Sequence, residues 1–299
     1  MKIKNIVAAV GGALALALLG PTSAVAAEKP TDAEAAPDPL ATLLANHKKV
    51  TGPGNAEMNN SSFNIPKDFL FTDGNGARTL LEAMGNITGG DEQGMLLSDD
   101  RDWFVVFEFN DDGYVKDDDK DKLDADKMLQ AITEGTKAAN EERKRRGIPA
   151  LNIVGWEQPP RYNESTHNLE WATRAESEGD ISINYNTRLL GRHGITEVTL
   201  VCDPTVLAAT LPQFQELLSS FSYRQGETYA EYRQGDKVAQ YGLAALVLGG
   251  AAAGAAKLGL FTWLLVFLKK GWKLVAVVVA VIAAGIGKLV GRRRTYTEE

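Results

Sequence analysis

The sequence carries a single cysteine, Cys202, and three histidines, His47, His167 and His193, in 299 residues. One cysteine excludes an intrachain disulfide. The wide spacing of these four residues excludes a Cys/His zinc site, whose ligands come in close pairs. No Gly-x-Ser-x-Gly elbow is present, which argues against the serine hydrolases built on that turn. No glycine-rich phosphate loop is present either. Basic residues are scarce where a folded domain is expected. Of the 32 Lys and Arg, two lie in the first 27 residues and nine beyond residue 236. All but two of the 39 Asp and Glu lie between, so residues 28–236 carry a net charge of about −16. A surface this acidic is a poor nucleic-acid binder, because phosphate contacts need Lys and Arg. It suits cations, basic partners or plain solubility.

Both ends of the chain are apolar. Lys2 and Lys4 precede the run Ile6 to Leu19, Gly20-Pro21 break it, and Ala24-Val-Ala26 has the small-x-small form of a cleavage site. Residues 1–26 therefore read as a secretory signal peptide. Residues 27–50 read as a disordered leader, rich at first in Ala, Glu and Pro. Residues 237–291 read as a membrane anchor, and residues 292–299 as a charged tail. Within the anchor, Leu243 to Leu268 and Leu274 to Gly287 are apolar runs separated by Lys269-Lys270-Gly-Trp-Lys273. Two spans put that loop on the cytoplasmic side, as the positive-inside rule prefers, but leave Arg292 to Arg294 outside; a single span does the reverse. Gly250-Ala-Ala-Ala-Gly254 and Ala283-Ala-Gly-Ile-Gly287 have small-xxx-small spacing, which suits close helix packing or self-association.

The expected folded domain is 51–236. Trp103 to Phe109 alternates Trp103, Val105, Phe107 and Phe109 on one face and predicts a strand. Asn152 to Trp156, His167 to Ala175, Asp180 to Leu190 and Ile195 to Cys202 predict further strands, and Met95 to Leu97 another. Ser62 to Phe71 predicts one edge strand containing Pro66. Asp73 to Gly76 predicts a turn, and Ala77 to Gly85 a short helix. Asp124 to Arg146 predicts the longest helix, acidic at its start and basic in its last turn, as the helix dipole favours. Pro204 predicts the first position of a helix running to about Leu218. Phe221 to Tyr232 predicts an extended link. The fold class is α+β: a mostly antiparallel sheet flanked by helices in an extracytoplasmic domain, plus C-terminal transmembrane helices.

Three stretches carry candidate chemistry. The first is Phe109 to Asp126, with eight aspartates. An EF-hand register centred on Gly113 fails, because it puts Glu108 at position 1, Lys116 at position 9 and no glutamate at position 12. Asn110 to Gly113 has turn composition. Asp121 and Asp124 sit where a helix start wants carboxylates. Asp117-Asp-Asp119 is left without a structural reason. The second stretch holds Trp156, Tyr162, His167 and Trp171, and the third holds Asn184, Arg188 and Arg192. Core tryptophans of paired strands are the plain alternative for Trp156 and Trp171. The expected ligand-binding set is Tyr114, Lys116, Asp117, Asp118, Asp119, Trp156, Tyr162, His167, Trp171, Asn184, Arg188 and Arg192, since exposed aromatics and arginines favour binding surfaces. The rival reading is a divalent-cation hydrolase: Asp112, Asp117 and Asp119 hold calcium or magnesium, and His167 is the general base.

These motifs resemble the uncharacterised bacterial family called domain of unknown function 2167. The resemblance rests on Phe63-Asn-Ile-Pro66, Gly113-Tyr-Val-Lys-Asp-Asp-Asp119, Gly155-Trp156 with Pro160 and Tyr162, His167-Asn-Leu-Glu-Trp171, Asn184-Tyr-Asn-Thr-Arg188, Leu190-Gly-Arg192 and the Gly/Ala-rich apolar tail. It implies a signal peptide, a C-terminal anchor and a place in the cell envelope, with the main domain on the periplasmic side of the inner membrane if the cell is Gram-negative. It implies no activity. The leading expectation is a non-enzymatic binding or interaction module of the envelope, whose partners are the membrane and a basic envelope protein or a second copy. The alternatives are the cation-dependent hydrolase and a structural membrane subunit.

Overall fold

The structure is a computed structural model that describes residues 38–100 and 102–248. The expected signal peptide, residues 27–37 of the leader and most of the apolar tail lie outside those residues. The rest of the expected disordered leader is folded: it holds the helix Pro39–Leu43, with Leu40 and Leu44 buried, and enters the strand Lys49–Thr51. Among the described residues, no helix is long and apolar enough to cross a membrane.

Eight strands form one antiparallel sheet in the order β1-β4-β5-β6-β10-β9-β8-β7. They are β1 (Lys49–Thr51), β4 (Phe69–Asp73), β5 (Glu92–Ser98), β6 (Trp103–Asn110), β7 (Asn152–Asn163), β8 (Asn168–Ser177), β9 (Asp180–Leu190) and β10 (Ile195–Cys202). A second sheet has the order β11-β3-β2, from β2 (Gly54–Glu57), β3 (Ser61–Ile65) and β11 (Ser222–Tyr223). The single strand expected over Ser62 to Phe71 is therefore two strands in two sheets. Pro66 lies in the turn between them, where Asp68 adopts a φ of 67°. β3 is the middle strand of its sheet, not an edge.

Side-chain alternation explains the layering. Trp103, Val105 and Phe107 of β6 enter a core with Phe63, Phe71, Tyr185, Leu200 and Phe214, between the large sheet, the small sheet and the helix Leu207–Ser219. Phe104 and Val106 face the other way, into a core with Leu40, Leu44, Ala77 and Leu80. β6 is thus buried on both faces, which its nearly continuous apolar run allows. We number the helices α1 (Pro39–Leu43), α2 (Gly74–Ala83), α3 (Ala125–Arg145), α4 (Leu207–Ser219) and α5 (Leu243–Val247). α2 starts earlier than expected: the Asp73 carboxylate accepts the Gly76 N–H at 3.0 Å, so Asp73 is a helix cap and not a turn residue. α3 has the expected cap, Asp124, which accepts the Lys127 N–H at 3.1 Å. α2 lies over β4 and β5, and α3 over β7 at the far edge. β7 runs on to Asn163 through Pro159 and Pro160, which an edge strand tolerates because one side of its backbone is unpaired.

A third core joins Val115, Met128, Leu169, Trp171, Leu190 and Ile195 to Leu243, Leu246 and Val247. The apolar tail expected to begin a membrane segment at Leu243 instead begins with the folded domain's own helix. The compact unit ends at Leu248.

Candidate functional site

The aspartate-rich loop after β6 is held from two sides. Gly113 has a φ of 107°, and a Cβ there would fall 2.5 Å from the Lys237 carbonyl oxygen. Only glycine fits that approach. It lets the Tyr114 N–H reach the Lys237 carbonyl at 2.8 Å and the Ala239 N–H reach the Tyr114 carbonyl at 2.9 Å. Residues 226–248 thereby form a strap across the loop. The Tyr241 hydroxyl donates to Asp112 at 2.6 Å, and Asp119 accepts the Leu243 N–H at 3.0 Å at the start of α5. Burial and the Asp112 carboxylate both hold the Tyr241 hydroxyl well above its ordinary pKa. The Tyr229 hydroxyl donates to the Val115 carbonyl at 3.0 Å.

This arrangement corrects the metal reading. Asp112, Asp117 and Asp119 each accept a hydrogen bond from a different partner, namely Tyr241, Tyr162 and the Leu243 backbone. Among the described residues, no group of three His, Cys, Asp or Glu side chains is placed to hold a metal ion. The carboxylates point apart because each closes a different contact of the loop.

Two of the three stretches do meet. The Tyr162 hydroxyl, at the end of β7, donates to Asp117 at 2.8 Å and lies 3.0 Å from His167 Nδ1. A phenol has one proton to donate, and an ionised carboxylate only accepts. The proton shared with the imidazole therefore belongs to Nδ1, and in the neutral ring Nε2 is left as a bare acceptor. His167 holds a φ of 52° in the turn between β7 and β8, a strained setting for a residue other than glycine. Its ring packs 4.6 Å from Tyr229, which stacks at 4.4 Å on Tyr114, which meets Tyr232 at 4.3 Å on its far side. Burial and the Asp117 carboxylate push the Tyr162 hydroxyl strongly up, and Tyr229 is pushed up by burial and its contact with Tyr114. Lys116 and Asp118 are exposed beside the cluster. Lys120 pairs with Glu164 at 2.9 Å, tying the loop to the same turn.

Of the remaining expected site residues, Trp156, Trp171 and Arg192 serve the fold. Trp171 is buried, and the Arg188 guanidinium lies 4.7 Å from its ring centre. Arg188 pairs with Glu197 at 2.7 Å. Trp156 donates its indole N–H to the Ala125 carbonyl at 3.2 Å, fixing the start of α3. Arg192 grips Asp236 with two nitrogens, at 2.7 and 2.9 Å, and tethers the strap. That pair holds the Asp236 carboxyl far below its usual range. Asn184 is half-buried on the sheet. Sequence reasoning missed Tyr229, Tyr232, Tyr241 and Asp236. Their signal was present, since Tyr223, Tyr229 and Tyr232 crowd a stretch read as a link and Tyr241 lies in the stretch read as a membrane anchor.

These features define a class, an antiparallel α+β domain with a His-Tyr-Asp cluster at one end of its sheet. The chain belongs to the family described as protein of unknown function (DUF2167), whose model matches residues 50–283. No curated protein matches the chain. Several solved structures match the chain, two of them as follows. The solution structure of cyanobacterial PsbP (CyanoP) from Synechocystis sp. PCC 6803 is 12% identical, with a TM-score of 0.36 over 60% of this chain and 92% of that one. The crystal structure of the Saccharomyces cerevisiae Ran-binding protein Mog1p is 10% identical, with a TM-score of 0.30 over 63% and 99%. Likeness this slight carries no argument about role.

Proposed function

We propose that this domain is a non-enzymatic binding module of the cell envelope, carried by an N-terminal export signal and a C-terminal membrane anchor, and that it takes a basic partner at the His167-Tyr162-Asp117 cluster. The observation that supports this most is the meeting of Asp117 with Tyr162 and His167, which come from stretches 45 and 50 residues further along the chain and gather beside exposed Lys116 and Asp118. Strain at His167 is the kind of cost that folds keep at sites of use. The chemistry leans towards binding. The Tyr162 hydroxyl is held protonated, and burial pushes the Cys202 thiol up to about 12, so neither is an activated nucleophile. The acidic balance of residues 28–236 favours a basic partner.

The test is site-specific photo-cross-linking in cells that make the full-length chain, with the reactive side chain at Lys116. One discrete protein adduct is expected, and it should weaken several-fold when Asp117→Asn or His167→Asn is added. An adduct indifferent to both changes, or none from positions 116, 118 and 121, would sink the reading.

A further inference from the structure

The middle of the large sheet, on the face that bears α2 and α3, is polar. α2 covers β4 and β5, and α3 covers β7, which leaves part of β6, β10 and β9 between them. Register places side chains there in rows. Glu108 lies opposite Glu197, which lies opposite Arg188. Thr199 lies opposite Asn186 in the next row, and Asn184 follows two residues along. Glu108, Glu197, Thr199, Asn186 and Asn184 are all half-buried. The strip is bounded at one end by Tyr241 on Asp112, and at the other Arg143 of α3 reaches the Gly85 carbonyl, just past α2, at 3.3 Å. From Arg188 to Asn184 it runs about 13 Å, four residues of extended chain.

Part of its hydrogen-bonding capacity is unspent: Thr199 donates to Asn186 at 3.3 Å and Asn186 to the Asn184 carbonyl at 3.0 Å, but other groups lack partners. Arg188 is 7% exposed, yet its Nε and Nη1 have no partner. Only Nη2 is used, on Glu197. A buried donor left without a partner is a cost to the fold, because the water it lost is not replaced. The Glu108 carboxylate and the Asn184 carboxamide make no hydrogen bond within the described residues. Glu92, in line with Glu108 on β5, is already held by Arg78 at 3.2 Å.

We propose that this strip is a second binding site, for a neutral polyhydroxyl ligand such as a short saccharide. The inference goes beyond the cluster at His167 and does not depend on it. The floor chooses the ligand class. An anion would face Glu108 and Glu197, and a cation would face Arg188. An apolar group would leave donors and acceptors buried without partners. A hydroxyl both donates and accepts, so a run of hydroxyls satisfies Glu108 and Asn184 together, on either side of the Arg188–Glu197 pair.

The experiment is calorimetric titration of the full-length protein, in a detergent without a sugar headgroup, with chitotetraose and maltotetraose, and with inorganic phosphate as the anionic control. At least one saccharide is expected to bind. Glu108→Gln and Asn184→Ala should each weaken it about tenfold, the size of one good hydrogen bond. His167→Asn should leave it unchanged, which separates this site from the partner surface. Melting curves of the variants show that the fold persists. Failure of both saccharides to bind, binding that survives both changes, or binding of phosphate in their place would each overturn the proposal.

Discussion

At the scale of single residues, Glu108 is the clearest source of pH dependence. Burial first, then the neighbouring Glu197 charge, raise its carboxyl from 4.5 to about 7, against the pull of Arg188. The folded state therefore binds a proton more tightly than the unfolded chain. Stability from this group is present below about pH 4.5 and is lost as pH rises towards 7. Glu108→Gln should remove that dependence and stabilise the domain at pH 7 to 8 by about 1–3 kcal/mol. Melting at pH 5 and pH 8 measures it, with the two midpoints converging in the variant. At His167, asparagine tolerates the left-handed backbone and glycine relieves it. His167→Gly and His167→Asn should both stay folded, with Tyr162 losing one partner, while the adduct formed at Lys116 weakens several-fold. Little of this was legible in the sequence. The aspartates stood out, and their number invited a metal. Asp112, Asp119 and Asp124 are instead spent on the hydroxyl of Tyr241 and on the backbone amides of Leu243 and Lys127. Composition gives the carboxylates but not the donors that fold back to meet them.

At the scale of elements, strands β6, β8, β9 and β10 were readable because alternation or a continuous apolar run records their faces directly. α3 was readable from its capping aspartate and basic end. β3 and β4 were merged because Pro66 is compatible with an edge strand as well as with the turn it makes. α5 was misread because Leu-Ala-Ala-Leu-Val has the same hydropathy under Trp171 as in a bilayer; what distinguishes the two is the neighbour, which lies far off in sequence. The strap offers the sharpest test at this scale. Gly113→Ala puts a methyl 2.5 Å from the Lys237 carbonyl at an unfavourable φ. Hydrogen exchange at Tyr114 and Ala239 should speed up by at least tenfold, with the amides of β9 and β10 unchanged. Tyr241→Phe should give a milder version, since it removes one bond to Asp112 and leaves the backbone pairing.

At the scale of the whole molecule, the boundary of the domain is the testable quantity. A chain ending at Asp236 has all the strands but lacks Leu243, Leu246 and Val247, which are buried against Val115, Trp171 and Ile195. Each such side chain contributes roughly 1.5–3 kcal/mol, and the total is comparable with the whole stability of a domain. A chain of residues 38–248 should melt cooperatively, and one of residues 38–236 should be largely unfolded or bind hydrophobic dye at 25 °C. Equal melting of the two would show that the strap contributes nothing.

The strand β11 bears on how the chain is made. It pairs Ser222 and Tyr223 with Ser62 and Ser61 of β3, joining the last strand to one of the first. Synthesis runs from the N-terminus, so the second edge of β3, whose first is taken by β2, waits for a partner made some 160 residues later. At the usual pace of translation, about 5–20 residues per second, that wait lasts on the order of ten seconds. Throughout it, the edge of β3 and the apolar face beneath it stay open to other chains. A chaperone that holds nascent or exported polypeptides should therefore bind this protein early and leave it only when residue 248 has emerged.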